Sequence, residues 1–291
     1  MSHAREAWHR ATHEGADDLG FGSGVDGNAL AWARYGDSGP RVLMIMGLGM
    51  RGIVWRPQLD DLRRDHQLLV FDQRGLGASE DVPGRFTMTT LAADALAVAD
   101  ALGWEQLHLV GVSLGGMVSQ HVALRAPGRL RSLSLIATQP GGRLAWLPPV
   151  TGLRPLLATT RAKSEQARAA ATDRLLFTHR VAEHVPADVH AQRYADTIAH
   201  PAPDHTVRRQ LRAVIGHRVR HRLHEIKAPT LVVQPAQDNL VRPRHSETLA
   251  RGIPGAHLVR VRHAAHGVLV EQATLVNQHL RAHIGDHEPA P

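Results

Sequence analysis

The chain has 291 residues, 43% of them hydrophobic, a formal net charge of +7 and no cysteine. That length fits one large α/β domain with an insertion, or two ordinary domains, and the missing cysteines exclude disulfides, thiolate metal sites and a cysteine nucleophile. The positive charge is almost all arginine, since Lys163 and Lys227 are the two lysines, and no zinc-finger, helix-turn-helix or RNP pattern accompanies it.

Met1 to Gly20 is polar, and residues 1–22 read as a polar N-terminal extension. The segment contains no apolar h-region, and no run in the chain approaches the ~18–20 apolar residues of a membrane span. The expectation is a soluble cytoplasmic protein, with neither membrane nor nucleic acid as partner.

Short apolar runs then alternate with amphipathic stretches. Strands are predicted at Ala29–Tyr35, Arg41–Met46, Gln67–Phe71, Leu107–Val112, Ser132–Ala137, Thr230–Gln234 and His257–Val261. Runs such as Leu68-Leu69-Val70-Phe71 suit strands buried on both faces of a parallel sheet. Between them, Leu91, Ala95, Val98 and Leu102 share one helix face. Leu114 to Ala126 reads as a second helix stopped by Pro127-Gly128, and Val276 and Leu280 share the face of a last one. Strand–helix alternation predicts a doubly wound sheet.

The alternation stops between Pro140-Gly141-Gly142 and Ala228-Pro229, both breaker signals. Residues 141–226 read as a helical insertion over the carboxyl ends of the strands, where α/β proteins bind ligands. The core then comprises residues 23–140 and 227–291. Within the insertion, Val207, Leu211, Val214 and Ile215 line one face of a helix that also carries Arg208, Arg209, Arg212 and Arg218. Trp146, Leu147, Leu153, Leu156 and Leu157 suit either an acyl pocket or plain cap core, and the sequence leaves both open. The run from Arg208 to Lys227, with His205, His217, His221 and His224, reads as a solvated face. No carboxylate or cysteine set completes a metal site there. No metal and no cofactor are expected anywhere in the chain.

The chemistry concentrates at Gly111-Val112-Ser113-Leu114-Gly115, a G-x-S-x-G pattern between a buried strand and a helix. Such a turn lifts a serine hydroxyl above the sheet at a helix N-terminus. The Leu114 amide then faces a developing oxyanion.

With this motif the chain resembles the α/β-hydrolase superfamily from about Ala29 to Ile284. The resemblance implies a mostly parallel sheet flanked by helices, with a helical cap, and the chain order nucleophile, acid, histidine. Asp238 is the carboxylate of Gln234-Pro-Ala-Gln-Asp238-Asn-Leu-Val-Arg-Pro243 and takes the acid's place, although Pro235 stands where the family usually has glycine. His266 takes the histidine's place, because Glu271 and Asn277 follow it at the family's spacing, while His263 lies too close to the strand end. Leu48, in Met46-Gly47-Leu48-Gly49, supplies the second oxyanion amide by analogy, with Met46 replacing the family's usual histidine. Asp72-Gln-Arg-Gly-Leu-Gly-Ala-Ser79 matches the family's D-x-R-G-x-G-x-S segment. There Asp72 and Arg74 are expected to tie a turn rather than to act in catalysis.

The resemblance implies a hydrolase of a carboxylic ester or lactone of a small hydrophobic substrate, working through Ser113, His266 and Asp238 as a monomer or homodimer. The same triad serves C–C hydrolases and cofactor-free haloperoxidase-type enzymes, and a third reading is a non-catalytic receptor on this fold. Epoxide hydrolases and haloalkane dehalogenases use an aspartate nucleophile, where this chain has Ser113.

Overall fold

A computed structural model describes residues 3–184 and 202–289. Eight strands form one sheet: β1 (Asp18–Ser23), β2 (Ala29–Tyr35), β3 (Arg41–Ile45), β4 (Gln67–Phe71), β5 (Leu107–Val112), β6 (Leu130–Ile136), β7 (Thr230–Pro235) and β8 (His257–Val261), in the order β1-β2-β4-β3-β5-β6-β7-β8. The pairs from β4 to β8 are parallel, while β1–β2 and β2–β4 are antiparallel.

The helices are α1 (His3–Thr12), α2 (Arg56–Leu62), α3 (Met88–Ala101), α4 (Leu114–Arg125), α5 (Val150–Arg161), α6 (Glu165–Leu176), α7 (His179–His184), α8 (Asp204–Gly216), α9 (Arg244–Gly252), α10 (Val268–Glu271) and α11 (Ala273–Gly285). Strand side chains alternate between faces, so each buried strand feeds two cores. Leu43, Ile45, Leu69, Leu109 and Leu133 pack with Leu91, Ala95 and Val98 of α3 and with Met117, Val118 and Val122 of α4. Val42, Met44, Leu68, Val70 and Val110 pack on the other face with Leu59 and Leu62 of α2 and Val276, Leu280 and Ile284 of α11. Each such fully buried side chain contributes roughly 1.5–3 kcal/mol of hydrophobic free energy.

The polar segment at residues 1–22 is part of the sheet architecture. Its residues 18–22, together with Ser23, form edge strand β1, in register with β2 from Asp18 opposite Arg34 to Ser23 opposite Ala29. The helix before it buries His9, whose Nε2 bonds the Trp32 carbonyl at 2.9 Å.

Between β6 and β7 the described structure is helical, with one isolated bridge joining Gly141 to Arg218. Helix α8 buries Thr206, Gln210 and Ala213, and of its apolar residues Val214 packs against the core while Leu211 and Ile215 are 44% and 42% exposed. Trp146, Leu153 and Leu157, at 42%, 44% and 50% exposed, are not cap core. Part of the insertion, residues 185–201, lies outside the described residues.

Candidate active site

Strand β5 is buried along its whole length and ends at Val112, and the next residue, Ser113, is the N-cap of α4. Ser113 has φ 54° and ψ −119°, a left-handed conformation that costs a non-glycine residue about 1–3 kcal/mol. Its N–H donates to the Ile136 carbonyl at 2.9 Å, and its carbonyl accepts Thr138 Oγ1 at 2.6 Å and the Met117 amide at 3.2 Å. Gly115 lets the elbow press against the end of β3, since a Cβ there would overlap the Ile45 carbonyl. Leu114 is the first residue of α4, so its amide has no partner within the helix.

Asp238 lies in the loop after β7 and His266 in the loop after β8. Both strands run parallel to β5, so their following loops emerge at the same edge of the sheet as Ser113. Asp238 Oδ1 accepts the Leu240 and Val241 amides at 2.7 and 2.8 Å. Its Oδ2 lies 2.8 Å from His266 Nδ1, with both side chains buried. A carboxylate only accepts, so Nδ1 carries the hydrogen and Nε2 keeps its lone pair. His263 is exposed, and its carbonyl accepts Gln272 Nε2 at 3.2 Å. Of the two histidines in this loop, it is His266 that bonds Asp238.

The loop from Met46 to Met50 follows β3. An ideal Cβ on Gly47 would stand 3.4 Å from Ser113 Cβ and 3.9 Å from its Oγ, so this loop borders the serine. The Gly47 carbonyl accepts the Met50 amide at 3.3 Å. In the trans peptide between Gly47 and Leu48, the Leu48 N–H therefore points the opposite way from that bond.

A family model described as alpha/beta hydrolase fold matches residues 40–273. This chain is a member of the α/β-hydrolase family. Over 265 residues it is 29% identical to the protein named "Putative carbamate hydrolase RutD" of Azorhizobium caulinodans, covering 89% of this chain and 97% of that one. The structure of a hydrolase from Pseudomonas aeruginosa is similar at TM-score 0.78 and 31% identity, covering 93% of this chain and 99% of that one. The enol-lactonase from Burkholderia xenovorans LB400 is similar at TM-score 0.78 and 25% identity, covering 91% and 100%.

In this α/β-hydrolase the family-marker residues are spread over several jobs. Glu271 Oε2 accepts the Ala265 amide at 2.9 Å and so braces the histidine loop, while its Oε1 accepts the Thr178 hydroxyl of the cap. Asn277 is elsewhere, bonded to Asp61 Oδ2 at 2.9 Å and the Pro57 carbonyl at 3.2 Å. Asp72 accepts the Gly52 and Ala78 amides at 2.9 and 3.1 Å, and burial raises its pKa. Arg74 does not join Asp72 but pairs with Asp94 and Asp26, each at 2.6 Å.

The cap histidines diverge: His205 pairs with Asp81 at 2.8 Å, whereas His217 meets His121 at 3.2 Å. A group the sequence reading missed is His9, His13 and Asp72, whose candidate ligand atoms lie within 4.8 Å of one another. Burial, His9, Arg51 and Arg56 together push the His13 pKa down to about 3. The same two arginines oppose a dication at that spot.

Proposed function

We propose that this α/β-hydrolase cleaves small carboxylic esters or lactones through an acyl-enzyme on Ser113. The observation that carries the reading is the 2.8 Å bond between His266 Nδ1 and Asp238 Oδ2, both side chains being supplied by loops at Ser113's edge of the sheet. Asp238 fixes the ring tautomer so that Nε2 serves as base. Ser113 Oγ gives its proton to Nε2 and bonds the substrate carbonyl carbon. The carbonyl oxygen takes up negative charge and accepts hydrogen bonds from the Leu48 and Leu114 amides. As the tetrahedral intermediate collapses, His266 returns the proton to the leaving alkoxide, which departs as an alcohol. A water then loses a proton to Nε2 and attacks the acyl carbon. The acid is released and Ser113 recovers its proton.

The enol-lactonase neighbour and the carbamate hydrolase name of the Azorhizobium relative both point to attack at a carbonyl carbon, and they define which bonds to test. The experiment is a panel of p-nitrophenyl acetate to octanoate esters, aliphatic lactones and simple carbamates, run on wild type and Ser113→Ala. Ester or lactone turnover lowered by about 10⁴–10⁶-fold in the variant is the expected result. Equal turnover in both proteins overturns the proposal.

A further inference from the structure

The loop carrying Leu48 is clamped from both ends by two side-chain amides that the chemistry above does not use. Gln73, in the loop after β4, donates from Nε2 to the Met46 carbonyl at 2.8 Å. Gln210, on cap helix α8, accepts the Gly49 amide at Oε1 at 2.7 Å. Gln210 Nε2 in turn donates to Gln73 Oε1 at 3.4 Å. Both side chains are buried, at 2% and 0% exposed.

The direction of this relay is not arbitrary. The Gly49 N–H can only donate and the Met46 carbonyl can only accept. Those two fixed ends force Gln210 to offer its oxygen and Gln73 its nitrogen, and they set the central bond to run from Gln210 to Gln73. Flipping either amide would put two like groups face to face at two places at once. The Met50-to-Gly47 bond fixes the peptide between the two ends. Of the two peptides that flank Leu48, Leu48–Gly49 is held by the cap through Gln210 and Gly47–Leu48 by the loop's own Met50 bond, while the core holds the peptide before them, Met46–Gly47, through Gln73.

We propose that Gln210 is a positioning residue that couples the seat of the cap to the assembly of the oxyanion hole. When α8 is in place, Gln210 closes the relay and the Leu48 amide is aimed. When α8 lifts, the Gly49 peptide loses its acceptor and the hole loosens. This inference rests on the proposed role of Leu48, and it adds that the cap governs the rate of the chemical step as well as the shape of the pocket. A misaimed donor costs a reaction of this kind about 10- to 100-fold.

The test uses the full chain with Gln210→Met, which keeps side-chain length and removes both polar atoms, and Gln73→Met, which cuts the relay from the core side. Amide hydrogen exchange at Gly49 is read first, because it needs no substrate. The Gly49 amide is expected to be protected in wild type and to exchange at least about tenfold faster in Gln210→Met. On the best ester of the panel, kcat falls by about 10- to 100-fold in both variants while KM stays within about twofold. Affinity for a trifluoromethyl ketone, whose adduct carries the oxyanion, falls in step with kcat/KM. A merely structural glutamine would not link those two quantities.

An unprotected Gly49 amide in wild type overturns the inference, as does a Gln210→Met enzyme with wild-type kcat beside an inactive Ser113→Ala. Activity retained by Ser113→Ala overturns the underlying mechanism instead, so the two failures are distinguishable.

Discussion

Gly152, in the first turn of cap helix α5, lies flush against the main-chain carbonyl of Asn239, the residue immediately after Asp238, and a Cβ at Gly152 would overlap that oxygen. Similar contacts recur at the other loops of the proposed site. The Gly267 amide, next to His266, donates to the Leu176 carbonyl of α6 at 2.6 Å, and Gly49 bonds Gln210 of α8. The cap thus touches the acid loop, the histidine loop and the oxyanion loop, each through a separate helix.

Gly152→Ala is the direct probe of the first of these contacts. Overpacking of this kind costs about 1–3 kcal/mol, and here it pushes either α5 or the Asn239 peptide away. A lower urea midpoint together with reduced kcat is the expected outcome. An enzyme indistinguishable from wild type in both would show that α5 does not bear on the acid loop.

Asp238→Asn removes the acceptor that fixes the His266 tautomer while keeping the size of the side chain. The expected loss in kcat is about 10³–10⁴-fold with the fold intact by circular dichroism. A loss below tenfold would assign Asp238 to loop capping through the Leu240 and Val241 amides alone.

The strain at Ser113 carries a stability signature. Glycine adopts positive φ without steric cost, so Ser113→Gly should raise the unfolding free energy by about 1 kcal/mol even as it abolishes turnover. Paired urea titrations decide the matter, and an unchanged or lower stability would mean that the elbow is not strained.

Acid should destabilise the fold through a buried histidine pair. His217 is pushed down to about 3 by burial, with the charges of His121 and Arg218 adding to it, and His121 is pushed down to about 4 by burial and Arg222. Depressed folded-state values mean that the unfolded chain binds more protons between the ordinary histidine value near ~6.5 and those lower ones. Stability is therefore full above about pH 6.5 and falls as the pH drops towards about 4. His217, buried against the Gln139 carbonyl at 3.1 Å, accounts for roughly 1 kcal/mol per pH unit in that window. Unfolding free energies of wild type and His217→Gln at pH 7 and pH 5 test this. The variant should show the shallower decline, and equal slopes would remove His217 from the account.

Much of this architecture was legible from pattern. The doubly buried strands announce themselves by unbroken apolar runs, and the elbow by two glycines around a serine at a strand–helix junction. The polar edge strand β1 was not legible, because Asp18-Leu-Gly-Phe-Gly-Ser has neither an apolar run nor clean alternation and is held by pairing to β2. The residues that seat α8 were not legible for a related reason. Periodicity finds apolar residues, whereas this helix seats through Thr206, Gln210 and Ala213. Gln73 and Gln210 belong to no motif, and their meaning comes from the distances between loops far apart in the chain. His266 was distinguishable from 20 other histidines only by its place after a strand and the spacing to Glu271, since the chain has 21 in all.

The most direct test of the account is to treat the protein with a fluorophosphonate, measure the intact mass and map the modified peptide. One adduct per chain is expected, on the peptide carrying Ser113, absent in Ser113→Ala and strongly slowed in His266→Ala. A folded protein that takes up no label, or takes it up on a different residue, would contradict Ser113 as the nucleophile.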